Sequence, residues 1–176
     1  MITKKKITGK KISLKCLNKK NISPDYFKWL INKKVNKFLE IRFEKQNYIK
    51  KNLISRINFY NKSKNIIIFG IFYYNQHIGN IKIENNNNHK RSEIGILIGN
   101  KKFWGMGVGS EAINLASEFA FKYFKSEILY AGSYNSNISS INSFKKAGWQ
   151  INSIIKNYWK FNNKREDWVL MYKTKQ

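Results

Sequence analysis

"KKFWGMGVGSEA", Lys101 to Ala112, decides how the rest of the chain is read: glycines alternate at 105, 107 and 109. Two lysines and a tryptophan precede them, and an apolar run of helical spacing follows. Glycines this close let a backbone approach another group. A P-loop would end in Gly-Lys-Ser/Thr, but this stretch ends Gly109-Ser110-Glu111. A dinucleotide fingerprint, G-x-G-x-x-G, would need glycine where Ser110 stands, and an acidic residue closing the next strand. Glu127 has the distance for that role but begins its strand. What remains is strand, short loop, G-x-G-x-G and long helix. Backbone N–H groups converge at such a helix N-terminus and can hold a pyrophosphate without a cationic side chain. The stretch by itself also permits a ligand-free strand-to-helix turn.

Before the glycines, "ITGKKISLKCL" alternates Ile12, Leu14 and Cys16 with polar residues and reads as one strand. "ISPDYFKWLINKK" opens a helix with Ser23 as N-cap and Pro24 at its first position. "FLEIRFEKQ" breaks the pattern, and a second helix follows with Ile49, Leu53, Ile57 and Tyr60 on one face. "NIIIFGIFYY", "HIGNIKIEN" and "RSEIGILIG" form an antiparallel meander, with His77 in the first turn and the Asn-rich loop Asn85 to Asn88 before the third strand. After the glycines, Val108, Ala112, Leu115, Phe119 and Tyr123 make the buried stripe of a long helix. "EILYAGSY" is a strand, and "ISSINSFKKAG" a helix capped by Asn137 and stopped by Gly148. "WQINSIIKNYWKF" and "EDWVLMYK" close as a hairpin. The expectation is a single α/β (α+β) domain over residues 1–176, with about seven mostly antiparallel strands and about four helices.

Composition narrows the function classes. At 176 residues and 42% hydrophobic, with 12 Phe, 10 Tyr and 5 Trp, the chain can bury a real core and is not disordered. The net charge of +24 suggests a polyanion partner. However, the basic residues are nearly all lysines, spread end to end among Asn and Ile, and A/T-rich codons account for that bias. A nucleic-acid partner is therefore not the expectation, although acidic small molecules should be drawn in. Cys16 is the single cysteine, so no internal disulfide forms. The basic start "MITKKKITGKK" lacks the apolar stretch of a secretory signal, and "IIIFGIFYY" is too short to cross a membrane. The expected setting is cytoplasmic.

"EIGILIGNKKFWGMGVGSEAINLASEFAF" resembles the acyl-CoA-binding core of the GNAT superfamily of N-acetyltransferases, whose Arg/Gln-x-x-Gly-x-Gly/Ala pattern falls on Trp104 to Gly109. "NISSINSFKKAGW", Asn137 to Trp149, resembles the superfamily's second motif, an Asn-x-x-Ser-x-x-x-aromatic-x-x-x-Gly-aromatic helix. The element order matches as well. Trp104, Gly105, Gly107, Glu111 and Ala112 resemble the branch that acetylates ribosomal-protein N-termini and nucleotide-linked amino sugars. With Trp104 in place of Arg or Gln, one polar contact to the cofactor is missing.

The resemblance implies a GNAT fold and direct acetyl transfer from acetyl-CoA to a primary amine, with no metal. It implies that the strand before the glycines splays and binds the pantetheine arm through Ile96, Leu97 and Ile98. Trp104, Gly105, Met106, Gly107, Val108, Gly109 and Ser110 would hold the pyrophosphate, with Lys101 and Lys102 nearby. Asn137, Ser140 and Phe144 would contact CoA from the second motif. An attacking amine must be neutral, so a base is required. Glu93, eleven residues before Trp104, matches the catalytic glutamate of some members; alternatively, it pairs with a lysine across the sheet. Glu111 reads as structural. The superfamily's usual acid is a tyrosine where Phe144 stands, so Tyr134 or solvent would protonate the thiolate. Glu40, Arg42 and Phe43 lie in the segment that lines the acceptor site, and His89 precedes Glu93 on its loop. An arginine fork suits a phosphate or carboxylate. "KVNKFLEIRFE" resembles the first loop of the amino-sugar group. The expected acceptor is thus a small acidic amine, a nucleotide-linked amino sugar. A protein N-terminus is the alternative, and a homodimer is possible by analogy with the branch.

Overall fold

Side chains alternate across every strand, and the strongest alternation in the chain builds the centre of one sheet. In the computed structural model, which describes residues 6–175, eight strands run in the order β1-β2-β3-β4-β5-β6-β8-β7. They are β1 (Ile7–Thr8), β2 (Ile12–Cys16), β3 (Ile66–Tyr73), β4 (Gln76–Asn86), β5 (Arg91–Ile98), β6 (Ile128–Tyr134), β7 (Gln150–Phe161) and β8 (Lys164–Thr174). All neighbours are antiparallel except β5 and β6. The helices are α1 (Asp25–Ile31), α2 (Gln46–Lys62), α3 (Val108–Phe119) and α4 (Ile138–Lys146).

Two cores sandwich the sheet. Ile81, Ile83, Ile94 and Leu129 pack against Val108, Ala112, Ile113 and Ala116 of α3 and Phe144 of α4. Leu17, Ile68 and half-buried Leu97 face Trp29 and Leu30 of α1 and Ile49 and Ile57 of α2. Each Val, Leu, Ile or Phe among them contributes about 1.5–3 kcal/mol on full burial.

Several expectations need correction. "ITGKKISLKCL" is not one strand: Gly9 N–H reaches back to the Ile12 carbonyl (2.9 Å), so the chain folds into β1 and β2 and gives an eighth strand. The start of the N-terminal basic stretch, residues 1–5, lies outside the described residues. The stripe of α3 leaves the expected line. Ile113 and Ala116 are buried beside it and Leu115 is half-buried, while Tyr123 is exposed because a π-helical turn at Ala120–Phe124 rotates the register beyond Phe119. Asn85 is not loop: it ends up in β4, and its side-chain Oδ1 accepts from Ser92 Oγ (3.1 Å) inside the core. His77 is not a free turn residue either. It is buried, stacked 5.1 Å from Phe72, with Trp29 edge-on at 5.1 Å. Ser23 does cap α1, accepting from Asp25 N–H (3.0 Å), while Asn137 sits at the α4 N-cap without a side-chain cap bond.

Candidate active site

β5 and β6 are hydrogen-bonded only over Arg91–Ile128, Ser92–Leu129 and Glu93–Tyr130. Beyond that last rung they part. Ile94 to Ile98 of β5 keep their pairing with β4, and Ala131 to Tyr134 of β6 keep theirs with β8. A wedge-shaped cleft opens between two strand edges whose backbone groups face each other unpaired. The closed end is stitched by Ser92 Oγ to Ser126 Oγ (2.7 Å) and by Glu127 N–H to the Lys90 carbonyl (2.6 Å).

The glycine loop stands at the open end. Gly105 and Gly107 have φ of +78° and +80°, a region costly for L-residues, and a Cβ on either would meet nothing within 4 Å. The loop is thus a concave backbone surface facing open space. Gly107 is the N-cap of α3, and the first helical bond runs from Glu111 N–H to its carbonyl (3.2 Å). The N–H groups of Val108, Gly109 and Ser110 therefore precede the helical ladder. Gly109 faces α4: a Cβ there would stand in ordinary contact with Ser143 Oγ, at 3.4 Å. Glu111 is structural, accepting from Lys11 N–H (2.9 Å) across the β1–β2 turn.

Trp104 carries a signal missing from the sequence reading. Its indole N–H donates to the Ile98 carbonyl (2.8 Å), bracing the loop against the end of β5. One of the two lone pairs of that carbonyl is therefore already used within the chain. Met106 is exposed and its carbonyl accepts from Lys11 Nζ (3.2 Å); Lys101 and Lys102 are exposed beside it. On α4, Ser140 is half-buried, and Asn137 accepts from Ser139 Oγ (3.3 Å). Phe144 is 2% exposed and packs edge-on to Trp149 at 4.8 Å. Its ring belongs to the core beneath the cleft and offers it no surface.

Glu93 sits at the vertex, on the last paired rung, opposite Glu84 of β4 and Tyr130 of β6. The cross-strand lysine is Lys82: it bonds Glu84 (2.9 Å), and Glu93 acts on it through charge, with no ion pair between Glu93 and a lysine among the described residues. Burial, then the neighbouring Glu93 charge, holds the Tyr130 phenol above its ordinary pKa, so it stays protonated beside this carboxylate.

On the α1/α2 side of the cleft the wall is made of side chains. Arg42 donates to the Leu39 carbonyl (3.0 Å) and to Tyr134 Oη (2.9 Å). Its guanidinium lies 4.2 Å from the Phe43 ring centre and 5.3 Å from that of Tyr134. Among the described residues it is in no ion pair. Tyr134 is buried among Phe38, Phe161 and Trp168, and the Trp168 indole fits only because residue 132 is glycine. A Cβ at Gly132 would lie 2.1 Å from it. A groove of about 400 Å³ adjoins this cluster, lined in part by Lys33, Lys37, Arg42, Phe43 and Asn162. Glu44 also lines it but is tied to Arg56 (2.7 Å).

The structure thus brings Arg42, Phe43 and Tyr134 together and puts Glu93 at the fork below them. Glu40 is exposed at the start of a 3-10 turn. His89 is set apart: it lies on the 3-10 turn before β5, beyond the closed end, and the strand alone, from Arg91 to where the cleft opens at Ile94, adds about 10 Å.

A family model described as an acetyltransferase (GNAT) domain matches residues 20–150, which contain the glycine loop, the vertex and the α4 motif. No curated protein sequence matches the chain. A spermidine N-acetyltransferase from Vibrio cholerae, in complex with CoA and spermine, is 16% identical and superposes with a TM-score of 0.80 over 93% of this chain and 95% of that one. RimL, a ribosomal L7/L12 α-N-protein acetyltransferase in complex with coenzyme A, is 14% identical, with a TM-score of 0.81 over 97% and 98%. The microcin C7 self-immunity acetyltransferase MccE, in complex with acetyl-CoA and AMP, is 16% identical, with a TM-score of 0.77 over 95% and 94%. These likenesses are of fold. The family match spans well over half of the chain, and the splayed strands and glycine loop are what that family builds on: the chain belongs to the GNAT acetyltransferases and is an acetyl-CoA-dependent N-acyltransferase.

Proposed function

We propose that acetyl-CoA lies in the cleft between β5 and β6 with its pyrophosphate on the Gly105–Ser110 backbone, and that the acceptor is a nucleotide-linked amino sugar. The observation that carries the cofactor placement is the loss of pairing beyond Glu93–Tyr130 with the glycine loop at its mouth. The residues fit the group: the loop faces empty space and the leading N–H groups of α3 are unspent.

Acetyl-CoA, when bound, supplies the activated thioester. The chain does the rest. The backbone N–H of Ile96, which alternation turns away from β4 and into the cleft, is a donor for developing oxygen charge. Glu93 takes the amine proton, directly or through water. Tyr134 Oη, accepting from Arg42, keeps its own proton to donate towards the leaving sulfur. Lys33, Lys37 and Arg42 give the groove a cationic lining whose one carboxylate, Glu44, is already tied to Arg56. That lining supports an acidic acceptor, and the likeness to an acetyltransferase complexed with AMP supports a nucleotide. It disfavours a polyamine despite the likeness to a spermidine enzyme. We place the reaction in the cytoplasm.

A second reading, acetylation of a protein N-terminus, is favoured by the likeness to RimL and by Phe43, 69% exposed at the groove rim. Purified protein given acetyl-CoA with a nucleotide-linked amino sugar, an N-terminal peptide or spermidine should release free thiol fastest with the first. A preference for the peptide would replace the acceptor; release with none, and no CoA binding, would remove the reading.

A further inference from the structure

Two side-chain polar atoms are fully buried without a hydrogen-bond partner among the described residues: Asn80 Nδ2 and Ser133 Oγ. Such orphans are rare in folded proteins and call for an explanation. Three other buried serines are satisfied. Ser92 bonds Asn85, Ser126 bonds Ser92, and Ser117 donates to the Ile113 carbonyl (2.8 Å). Ser133 is 4% exposed and has nothing.

Its place in the sheet says what could satisfy it. Ser133 lies on the free arm of β6, three residues past the last rung with β5. Alternation puts it on the same face as Leu129 and Ala131, the face covered by α3 and α4. Continuing the register of the last rung brings Ser133 opposite Ile96 across the opening. Ile98, next on that wall, lies near Gly109 of the glycine loop. The inner walls on this face, Ile96, Ile98 and Ala131, are otherwise apolar. Along the cleft Ser133 therefore stands between the glycine loop at the mouth and the Glu93–Tyr130 rung at the vertex, whose own side chains alternation puts on the opposite face of the sheet. Asn80 is one strand further in, and its oxygen is already paired with His77 Nε2 (3.0 Å).

We propose that Ser133 binds the pantetheine arm of CoA, its hydroxyl hydrogen-bonding one of the arm's two amides as it passes through the cleft. The inference rests on the cofactor placement above. An arm of alternating apolar and amide segments matches a wall that is apolar except at one point, and a hydroxyl serves either an amide N–H or its carbonyl. The orphan in the unliganded chain is then the cost of a bond made only on binding.

Calorimetry on the whole chain tests this with Ser133→Ala and two ligands: CoA, and adenosine 3′-phosphate 5′-diphosphate, which keeps the pyrophosphate but lacks the arm. Loss of one neutral hydrogen bond should raise the Kd for CoA about 5- to 10-fold. The Kd for the armless ligand should not move. The unliganded Tm should hold or rise, because the substitution removes an unsatisfied group. An unchanged CoA affinity overturns the proposal. So does equal weakening of both ligands, or a fall in the unliganded Tm of several degrees, which would make Ser133 structural. Wild-type protein that fails to bind CoA overturns the cofactor placement itself, and that result is visible before any substitution is made.

Discussion

The two sides of the cleft are made of different material. The cofactor side is backbone: two glycines at positive φ, the leading N–H groups of α3 and the bare edges of β5 and β6. The acceptor side is side chain: Arg42, Phe43, Tyr134, Phe161 and Trp168, drawn from segments far apart in the chain. A backbone surface is indifferent to everything but conformation, so it suits an invariant ligand. A side-chain surface can be remade residue by residue, so it suits whatever distinguishes one acceptor from another.

The sharpest attack on that comparison is at the vertex, where the two sides meet. Glu93→Gln should lower kcat about 100-fold or more, while the Kd for CoA and the KM for the acceptor stay within a factor of two or so. A kcat left intact would strip Glu93 of its role as base. The cofactor side breaks differently. Gly107→Val forces a β-branched residue to φ of +80° and places a side chain in front of the N–H groups of α3. Losing even two charge-assisted hydrogen bonds there should weaken CoA binding about 100-fold, measured by titration, whereas acceptor KM should shift little. On the acceptor side, Arg42→Lys keeps the charge but loses the planar fork that reaches Leu39 and Tyr134 together. Acceptor KM should rise about 10-fold with CoA affinity untouched; a matching loss of CoA affinity would show that the two sides are not separable.

The same contrast explains what could be read from the sequence. The glycine loop, the meander and the α4 helix were legible because each is local: glycines mark backbone shape within a few residues. The splay came only with the family resemblance, since it parts two strands that a helix separates in the chain. The acceptor wall was only half legible. Arg42 and Tyr134 stood out singly, but their hydrogen bond spans 92 residues, and nothing in either segment announces the other. The seat of Trp168 on Gly132 is equally non-local. His89 misled because closeness to Glu93 in sequence is distance along a strand in the fold. Phe144 misled because the aromatic of the motif turns inward to meet Trp149. Ser133 gave no signal, since a serine in a strand looks ordinary until its partners are counted.

His77 was passed over for the same reason, and it gives the smallest effect and a control for the rest. Its Nδ1 accepts from Ser23 N–H (3.1 Å), so Nε2 carries the proton and donates to Asn80 Oδ1. Protonation would turn Nδ1 into a donor facing a donor, at the joint that ties the start of α1 to β4. Burial, its largest cause, pushes the His77 pKa below the ordinary imidazole value, against the weaker pull of Asn80. The unfolded chain then binds a proton at higher pH than the folded one. The contribution of His77 is fully present above about pH 6.5 and fades as pH falls below that towards the folded pKa. The urea midpoint should drop between pH 7.5 and 5, and the drop should shrink in His77→Asn, which keeps an acceptor near Ser23 but does not titrate there. Equal slopes in the two proteins would mean that the joint does not sense protonation. Because His77 lies in the core under α1 and away from the wedge, CoA affinity at pH 7.5 should be the same in both.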